Sequence, residues 1–313
     1  MRARSIDRPI YTEPAFDQMG ILQADCKQRM KSENPVIKLS APATKEFWEI
    51  PVVFEDEQLL ALDKPSGLLT SPDRYDPNRP NLMKLLHAGI AESKPWARER
   101  GLTYLSNAHR LDFETSGVIL LAKNKETLVQ LADLFGAEKP VKKYVALVQG
   151  APAEDEFEVD AKLAPHPTRL GMMRVEPKNG KKSRTKFTVL EKYSRWTLLR
   201  CEPFTGRTHQ IRIHLRHAGM PIVGDQLYGG KPLWLSRLKP GYRLKPGREE
   251  RPLMARVALH AEQLELKHPT TGEAISITAP WPKDFNVAVK YLKQYAGPGA
   301  RVPMVDENDE NPS

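Results

Sequence analysis

Apolar and polar side chains alternate with a period of two along much of the chain, and this pattern predicts many β-strands. Apolar residues three or four positions apart are confined to fewer stretches, which predict helices. We expect strands near 50–55, 58–63, 118–122, 142–149, 156–163, 184–192, 196–203, 256–266 and 274–279, and helices near 81–90, 124–136, 208–218 and 283–295. Strands outnumber helices and do not alternate with them. The pattern therefore predicts an α+β fold, with a mixed, largely antiparallel sheet core and flanking helices.

The two ends of the chain lack such periodicity. Residues 1–45 are polar, contain proline and carry mixed charge, so we expect an N-terminal extension that is at best partly ordered. The segment 297–313 ends in a run of Asp, Glu and Asn, and we expect a disordered acidic tail there. These boundaries leave one folded domain over 46–296, which would carry any catalytic site.

Composition limits the class of protein. A net charge of +9 over 313 residues suits a polyanionic partner, although a basic balance alone discriminates poorly. Two cysteines, Cys26 and Cys201, are too few for a disulfide framework or a zinc site, and they favour a reducing compartment. No apolar run approaches the roughly 20 residues of a membrane helix, and the N-terminus lacks the apolar core of a signal peptide. We therefore expect a cytoplasmic protein with no membrane partner.

One short segment combines a carboxylate, an arginine and a turn. Residues 109–117 read His-Arg-Leu-Asp-Phe-Glu-Thr-Ser-Gly, and the apolar strand 118–122 follows directly. Asp112 therefore lies at the end of a sheet, where a carboxylate nucleophile could be held in place. An Asp before Thr-Ser-Gly also commonly caps a turn through its side chain. The segment alone does not separate these two roles.

A second segment, 206–225, predicts a basic helix. Thr208 can serve as its N-cap, and Gly219 lies where a left-handed residue ends a helix. Arg212 and Arg216 lie one turn apart, and Arg212 falls close to the apolar face. Charged runs usually form a solvated face, whereas an arginine beside a buried stripe is expected to pair with a carboxylate or a phosphate.

These two segments resemble motifs of the RluA-type pseudouridine synthases, a family that modifies RNA. Residues 109–117 resemble its HRLDxxTSG signature, and residues 206–225 resemble its GRTHQIRxHL…G…GD signature. Three further segments resemble family motifs in the family's order: the opening hairpin at 55–68, the KxYxAxVxG strand at 143–150 and the LHA…HPxTGE hairpin at 259–273. The resemblance spans roughly residues 52–282 and implies a pseudouridine synthase-like fold.

The resemblance also implies an activity. Such an enzyme isomerises specific uridines in structured ribosomal or transfer RNA to pseudouridine. The reaction breaks the glycosidic bond, turns the base and rejoins it through carbon without redox change, so we expect no cofactor and no metal. RNA would be the partner of a cytoplasmic, monomeric enzyme. The target uridine must leave its stack, and Arg110 would fill the vacated space.

Roles for further side chains follow from the resemblance. Asp112 would be the nucleophile, and Arg212 would hold it ionised. Tyr144 would supply a flat wall and a hydroxyl for the uracil, although its position equally suits a core tyrosine on a strand. The residues expected to bind substrate are Arg110, Arg207 and Leu259, and those expected to fix the catalytic loop are His109, Thr115, Ser116 and Gly117.

Two other functions are open on the sequence. A glycoside hydrolase could use Asp112 and Glu114 as its pair of carboxylates, but it would gain nothing from the arginine-histidine helix. An inactive RNA-binding protein or chaperone could have the same scaffold. Binding alone, however, does not require Asp112, Tyr144 and Arg212 together.

The segment 231–252 is not explained by these motifs. Over 237–251 it carries six Lys and Arg against two Glu, and two Pro-Gly pairs predict a surface loop. We expect this loop to lie near the cleft and bind phosphates flanking the target, with Trp234 and Tyr242 as faces for unpaired bases. A second basic cluster, at 178–186, is interpreted as solubilising.

Overall fold

The computed structural model describes residues 35–73, 76–245 and 247–297. The expected extension up to residue 34, with Cys26, and the expected tail from residue 298 lie outside the described residues. The strands are β1 Val36–Ala41, β2 Glu46–Glu55, β3 Leu59–Lys64, β4 Ser106–Asn107, β5 Ser116–Ala122, β6 Val141–Gln149, β7 Glu156–Asp160, β8 Leu163–Pro165, β9 Met173–Val175, β10 Arg184–Lys192, β11 Trp196–Pro203, β12 Leu259–Lys267 and β13 Ala274–Thr278. The α-helices are α1 Leu82–Ala91, α2 Pro95–Arg98, α3 Lys125–Gly136, α4 Gln210–His217 and α5 Lys283–Tyr295.

One mixed sheet organises the described chain. Its strands follow the order β1-β2-β3-β5-β12-β6-β11-β10-β7, while β4 pairs with β5 and β13 pairs with β12. The β5 and β12 strands run parallel, whereas the other neighbours along this path are antiparallel. The β8 and β9 strands form a separate two-stranded ribbon. The predicted α+β class with a largely antiparallel sheet is confirmed.

The β5 strand is buried along its whole length because both of its faces are covered. Ile119 and Leu121 pack in the cluster that contains α1 and α2 side chains, whereas Val118 and Leu120 pack in the cluster that contains Leu131 of α3. Each such buried aliphatic side chain contributes about 1.5–3 kcal/mol to folding. The strand that follows Asp112 is therefore a rigid part of the core.

Gly117 allows the close approach of β12 to the start of β5. Its φ is +112°, and a Cβ at this position would overlap the carbonyl oxygen of Ala261. The parallel pairing of His260 with Ser116 depends on this approach. Gly117 thus fixes the spacing between the loop that carries Asp112 and β12.

Several elements differ from the sequence-based expectations. The β1 strand lies inside the segment expected to be an extension, and it pairs along its full length with β2. The strand expected over 156–163 ends at Asp160, and β8 begins only at Leu163. The helix expected over 208–218 begins at Gln210. The unpredicted α2, β4, β8 and β9 have four residues or fewer, too short to show a period.

The basic segment 231–252 forms an irregular loop, as predicted, with no helix in its described part. Leu233 and Leu238 are buried in the same cluster as the apolar face of α5, and the Lys239 ammonium lies 5.9 Å from the centre of the Tyr295 ring. The loop thus packs against the C-terminal end of α5. Among the helices that the structure describes, none is long and apolar enough to cross a membrane.

Candidate active site

A cavity of about 380 Å³ opens beside the loop that precedes β5. The loop before α4 forms another wall, and β6 and β12 contribute side chains. The predicted site residues in its wall are His109, Arg110, Asp112, Thr115, Tyr144, Arg207, Arg212 and Leu259. Ser116 and Gly117 follow on β5, outside the wall. No described residue of the 231–252 loop lines the cavity, so its expected position near the cleft stays a prediction. Its apolar side chains pack in the same cluster as α5.

The backbone around Asp112 is clamped by the segment that follows β3. Thr70 Oγ1 accepts a hydrogen bond from the Leu111 N–H at 3.1 Å, and Ser66 Oγ donates one to the Glu114 carbonyl oxygen at 2.7 Å. The Gly67 N–H donates to the carbonyl oxygen of Phe113 at 2.9 Å. These bonds hold the residues on both sides of Asp112, so its side chain projects from a fixed loop.

The carboxylate of Asp112 is open to the cavity. Its side chain is 19% exposed, with Arg212 Nη1 at 3.9 Å and the imidazole Nε2 of His209 at 4.0 Å. The turn after Asp112 closes through the backbone, with the Thr115 N–H donating to the Asp112 carbonyl oxygen. The geometry therefore favours a reactive carboxylate over the turn-capping role.

Arg212 has a different main partner from the expected one. Its Nε and Nη2 each donate a 2.7 Å hydrogen bond to the carboxylate of Asp225, which is fully buried. The fork of the guanidinium matches the two carboxylate oxygens, so only Nη1 remains directed toward Asp112. The predicted direct pairing with Asp112 is thus the longer and weaker contact. Asp225 lies in the second motif, and the need of a buried arginine for a buried acid could have identified it.

The start of α4 also departs from the expectation. Its N-cap is His209 rather than Thr208, and His209 has a left-handed backbone with φ of 53° and makes no side-chain capping bond. The Nδ1 of His209 lies 2.8 Å from the Tyr228 hydroxyl. Burial lowers the pKa of His209 below its usual value, although Asp112 opposes this effect. The sequence analysis assigned no role to His209 or Tyr228, because their contact depends on the folded arrangement.

Tyr144 presents a neutral phenol to the cavity. Burial raises its pKa well above the usual value, and the charge of Asp112 adds to the effect. The hydroxyl is therefore protonated at neutral pH and can donate a hydrogen bond. Leu259 is buried on the neighbouring β12 strand, where it pairs with Ala146 of β6. An aromatic ring and an aliphatic side chain thus form an apolar part of the wall.

The residues expected to support the loop make structural contacts. His109 Nε2 accepts a hydrogen bond from the Leu120 N–H at 3.0 Å, and its ring stacks on Phe135 with centres 5.0 Å apart. Burial lowers the pKa of His109 to about 3, so the imidazole is neutral and able to accept. Ser116 Oγ lies 3.0 Å from His260 Nδ1, which joins the loop to β12.

The remaining charged residues divide between the rim and the interior. Arg110 and Arg207 are exposed at the rim of the cavity. Glu114 lies outside the wall with Oε2 3.6 Å from Arg212 Nη2, and burial raises its pKa despite the opposing charge of Arg212. Lys64 is fully buried and donates to the carbonyl oxygens of Pro65 and Leu68. It thereby fixes the segment that clamps the loop carrying Asp112.

The arrangement suits reaction at one nucleoside-sized group. An open carboxylate, a fixed guanidinium and a neutral phenol surround a cavity within the size range of small-ligand sites. Across the described ranges, no three His, Cys, Asp or Glu side chains are grouped so that they could hold a metal ion. The Asp112 carboxylate, the Arg212 guanidinium and the Tyr144 phenol are groups that can perform nucleophilic chemistry.

Known proteins provide an independent comparison. The family model described as RNA pseudouridylate synthase matches residues 58–217. Ribosomal large subunit pseudouridine synthase D of Haemophilus ducreyi is 33% identical, over 87% of this chain and 76% of the relative. The enzyme of the same name from Nitrosomonas europaea is 36% identical over 86% and 75%, and ribosomal large subunit pseudouridine synthase C of Escherichia coli K12 is 34% identical over 77% and 70%.

Solved structures agree with this comparison. Human RNA pseudouridylate synthase domain containing 1 is similar with a TM-score of 0.54 and 27% identity, over 74% of this chain and 84% of that one. Human RNA pseudouridylate synthase domain containing 4 has the same fold, with a TM-score of 0.57. It is 24% identical, over 77% of this chain and 92% of that one. The motifs, the fold and the relatives agree: the chain belongs to the RluA-type RNA pseudouridylate synthase family and is an enzyme that isomerises uridine in RNA to pseudouridine.

Proposed function

We propose that the enzyme modifies ribosomal RNA, with Asp112 as the nucleophile and with the target uridine extruded from its stack. The observation that supports this proposal most is the open carboxylate of Asp112, which faces the same cavity as Tyr144 and lies 3.9 Å from the fixed guanidinium of Arg212. A carboxylate that is fixed in a cavity and open to it can attack carbon.

In the proposed reaction Asp112 attacks C1′ of the target nucleotide. The electron pair of the broken C1′–N1 bond leaves with the uracil, which stays between the Tyr144 ring and Leu259. The base turns, and C5 displaces the carboxylate from C1′, so Asp112 is regenerated. C5 then loses its hydrogen as a proton and N1 gains one, so that the reaction is an isomerisation with no net change in atoms.

The size of the cavity supports base extrusion. A volume of about 380 Å³ admits one nucleoside and excludes a paired duplex. Removing a base from its stack costs about a few kcal/mol, and less for a base in a loop. Arg110 is exposed at the rim, two residues before the nucleophile, where its guanidinium can stack in the space that the base leaves.

Ribosomal RNA is the proposed substrate because the similar bacterial proteins are named as ribosomal large subunit pseudouridine synthases. The glycoside hydrolase hypothesis loses support from the position of Glu114. That carboxylate lies outside the cavity wall and beside Arg212, so it does not flank a sugar bound at Asp112.

A tritium-release assay tests the proposal. Ribosomal RNA and transfer RNA transcripts carrying 5-tritiated uridine are incubated with the enzyme, and tritium in water and free uracil are both measured. We expect tritium release from ribosomal RNA without free uracil, because only C5 attachment expels that hydrogen. Release from transfer RNA alone would refute the substrate, and free uracil would instead indicate hydrolysis.

A further inference from the structure

The basic cluster at 178–186, interpreted from the sequence as solubilising, lies beside the cavity. Arg207 in the cavity wall donates a hydrogen bond from Nε to the Lys182 carbonyl oxygen at 3.1 Å. The Arg184 carbonyl oxygen accepts from the Phe204 N–H and from Gln210 Nε2, each at 3.0 Å. The cluster is therefore fixed to the loop that forms one wall of the cavity.

This surface combines free cations with an exposed aromatic ring. Lys181, Lys182 and Arg207 are exposed, and no salt bridge joins any of them to an acid among the described residues, whereas Arg184 Nη1 lies 3.8 Å from Glu158 Oε2. The Arg184 guanidinium lies 4.2 Å from the centre of the Phe204 ring, which is 39% exposed. Lysines and arginines bind phosphates, whereas an exposed ring with a cation beside it suits a stacked base.

We propose that Lys181, Lys182, Arg184, Phe204 and Arg207 form a strip that binds the unpaired RNA strand where it leaves the cavity. This inference rests on the proposed function and adds a defined path for the flanking nucleotides. The cations bind successive phosphates, and one base stacks on Phe204. The loop at 231–252 packs against α5, and none of its described residues lines the cavity.

Salt-dependent binding tests the strip. The K181Q/K182Q double variant is compared with K283Q/K290Q, a matched pair of exposed lysines on α5. Binding is measured with a ribosomal RNA fragment that carries the target. Removing two phosphate contacts makes the negative slope of the log binding constant against log salt shallower by about 1.4–1.8. The α5 pair leaves the slope unchanged. Phe204→Ala weakens binding by about tenfold when the flanking nucleotides are unpaired.

An unchanged slope in K181Q/K182Q overturns the strip. If the slope instead becomes shallower in a variant that neutralises Arg243, Lys245 and Arg248 together, the loop at 231–252 binds the flanking phosphates in place of the strip. Tritium release by the unaltered enzyme keeps this test separate from the proposed function. If the unaltered enzyme releases tritium and the slope is unchanged, the strip alone is wrong.

An independent observation concerns His209. Its left-handed φ of 53° is strained for a residue with a side chain, and such strain persists where surrounding contacts hold the residue. The Tyr228 hydroxyl accepts a 3.0 Å hydrogen bond from the Met173 N–H, so its own hydrogen is free to reach His209 Nδ1 at 2.8 Å. Nδ1 is then an acceptor, and Nε2 carries the imidazole hydrogen.

We infer that the Nε2–H of His209 donates a hydrogen bond to O2 of the uracil as the glycosidic bond breaks. O2 is the uracil oxygen adjacent to N1, so it lies closest to the carbon that Asp112 attacks in the proposed function. His209 lines the same cavity, and its Nε2 is 4.0 Å from Asp112 Oδ1. The electron pair released from C1′–N1 spreads onto O2, so this hydrogen bond strengthens in the transition state.

A leaving-group comparison tests this role. His209→Asn removes the Nε2–H, and Asn tolerates the left-handed backbone. Consumption of the target nucleoside is followed in single turnovers with uridine and with 5-fluorouridine at the target position. We expect a loss of about 100-fold with uridine and a clearly smaller loss with 5-fluorouridine, whose base anion is more stable.

Equal losses with both substrates would overturn the role, because a purely structural defect does not depend on the leaving group. Tyr228→Phe keeps the ring, whose centre lies 5.1 Å from the Arg212 guanidinium, and removes the hydroxyl. It should give a smaller loss with the same dependence on substrate. If the unaltered enzyme consumes neither substrate, the proposed function fails rather than the role of His209.

Discussion

Arg212 and Asp225 are joined by two hydrogen bonds of 2.7 Å, and both side chains are buried. The arginine beside Asp112 is thus paired with and oriented by a second acid. Asp112 lies 3.9 Å from the Arg212 guanidinium, but its carboxylate oxygens are not held in a bidentate pair with that arginine. This arrangement leaves the Asp112 carboxylate beside a cation and free to react.

The pair predicts a specific loss of stability. Asp225→Ala leaves a buried arginine without its main partner, so the free energy of unfolding should fall by about 3–5 kcal/mol. Glu114→Gln is the matched control, because Glu114 also approaches Arg212 but is 38% exposed, and its effect should stay below about 1 kcal/mol. Urea denaturation measures both variants. Similar values for the two would show that the Asp225 pair does not carry the stability of this region.

Tyr144→Phe separates chemistry from binding. The ring against the uracil remains and the protonated hydroxyl is lost, so RNA affinity should be unchanged while the single-turnover rate falls by about 100-fold. Tyr144→Leu is the comparison, since it removes the flat wall and should weaken binding too. A fully active Tyr144→Phe enzyme would assign this residue to the core alone.

Arg110→Ala tests base extrusion. Without the guanidinium, the space left by the uridine is empty and unstacking becomes more costly. The rate should therefore fall more for a structured RNA than for a short single strand with the same target. Identical losses on the two substrates would contradict the stacking role.

The sequence predicted what depends on local pattern and missed what depends on tertiary contact. The long strands and helices were confirmed near their expected positions, and Asn124 caps α3 by accepting from the Thr127 N–H at 2.8 Å. Asp225 and Tyr228 were not assigned because their partners lie more than ten residues away in sequence. The β1 strand was missed because its polar surroundings masked the alternation that its pairing with β2 makes evident.

Acid should destabilise the fold through His214. It is fully buried, with Nε2 2.9 Å from Ser183 Oγ and Nδ1 2.9 Å from Thr185 Oγ1, and burial lowers its pKa to about 4. In the unfolded chain the pKa is about 6.5, so the unfolded state binds a proton that the folded state does not. The stability that neutral His214 contributes is fully present above about pH 6.5. It is lost as pH falls toward 4, when the free energy of unfolding falls by about 1.4 kcal/mol per pH unit.

Urea denaturation between pH 7 and pH 4 measures that slope. His214→Gln should be less stable at pH 7. Its free energy of unfolding should fall less steeply with acidification, because the unfolding of this variant takes up one proton fewer. Burial also lowers the pKa of His109 and of His260, so part of the acid sensitivity should remain. An unchanged slope in His214→Gln would show that this histidine titrates in the folded state as it does in the unfolded chain.

Replacement of Asp112, the proposed nucleophile, tests the central claim most directly. Asp112→Asn and Asp112→Ala keep the clamped loop, whose hydrogen bonds are made by the backbone of neighbouring residues. Tritium release from 5-tritiated ribosomal RNA should disappear in both variants, while their affinity for the RNA persists. More than trace release by Asp112→Ala would contradict the account, because no other carboxylate is assigned to the bond-making step.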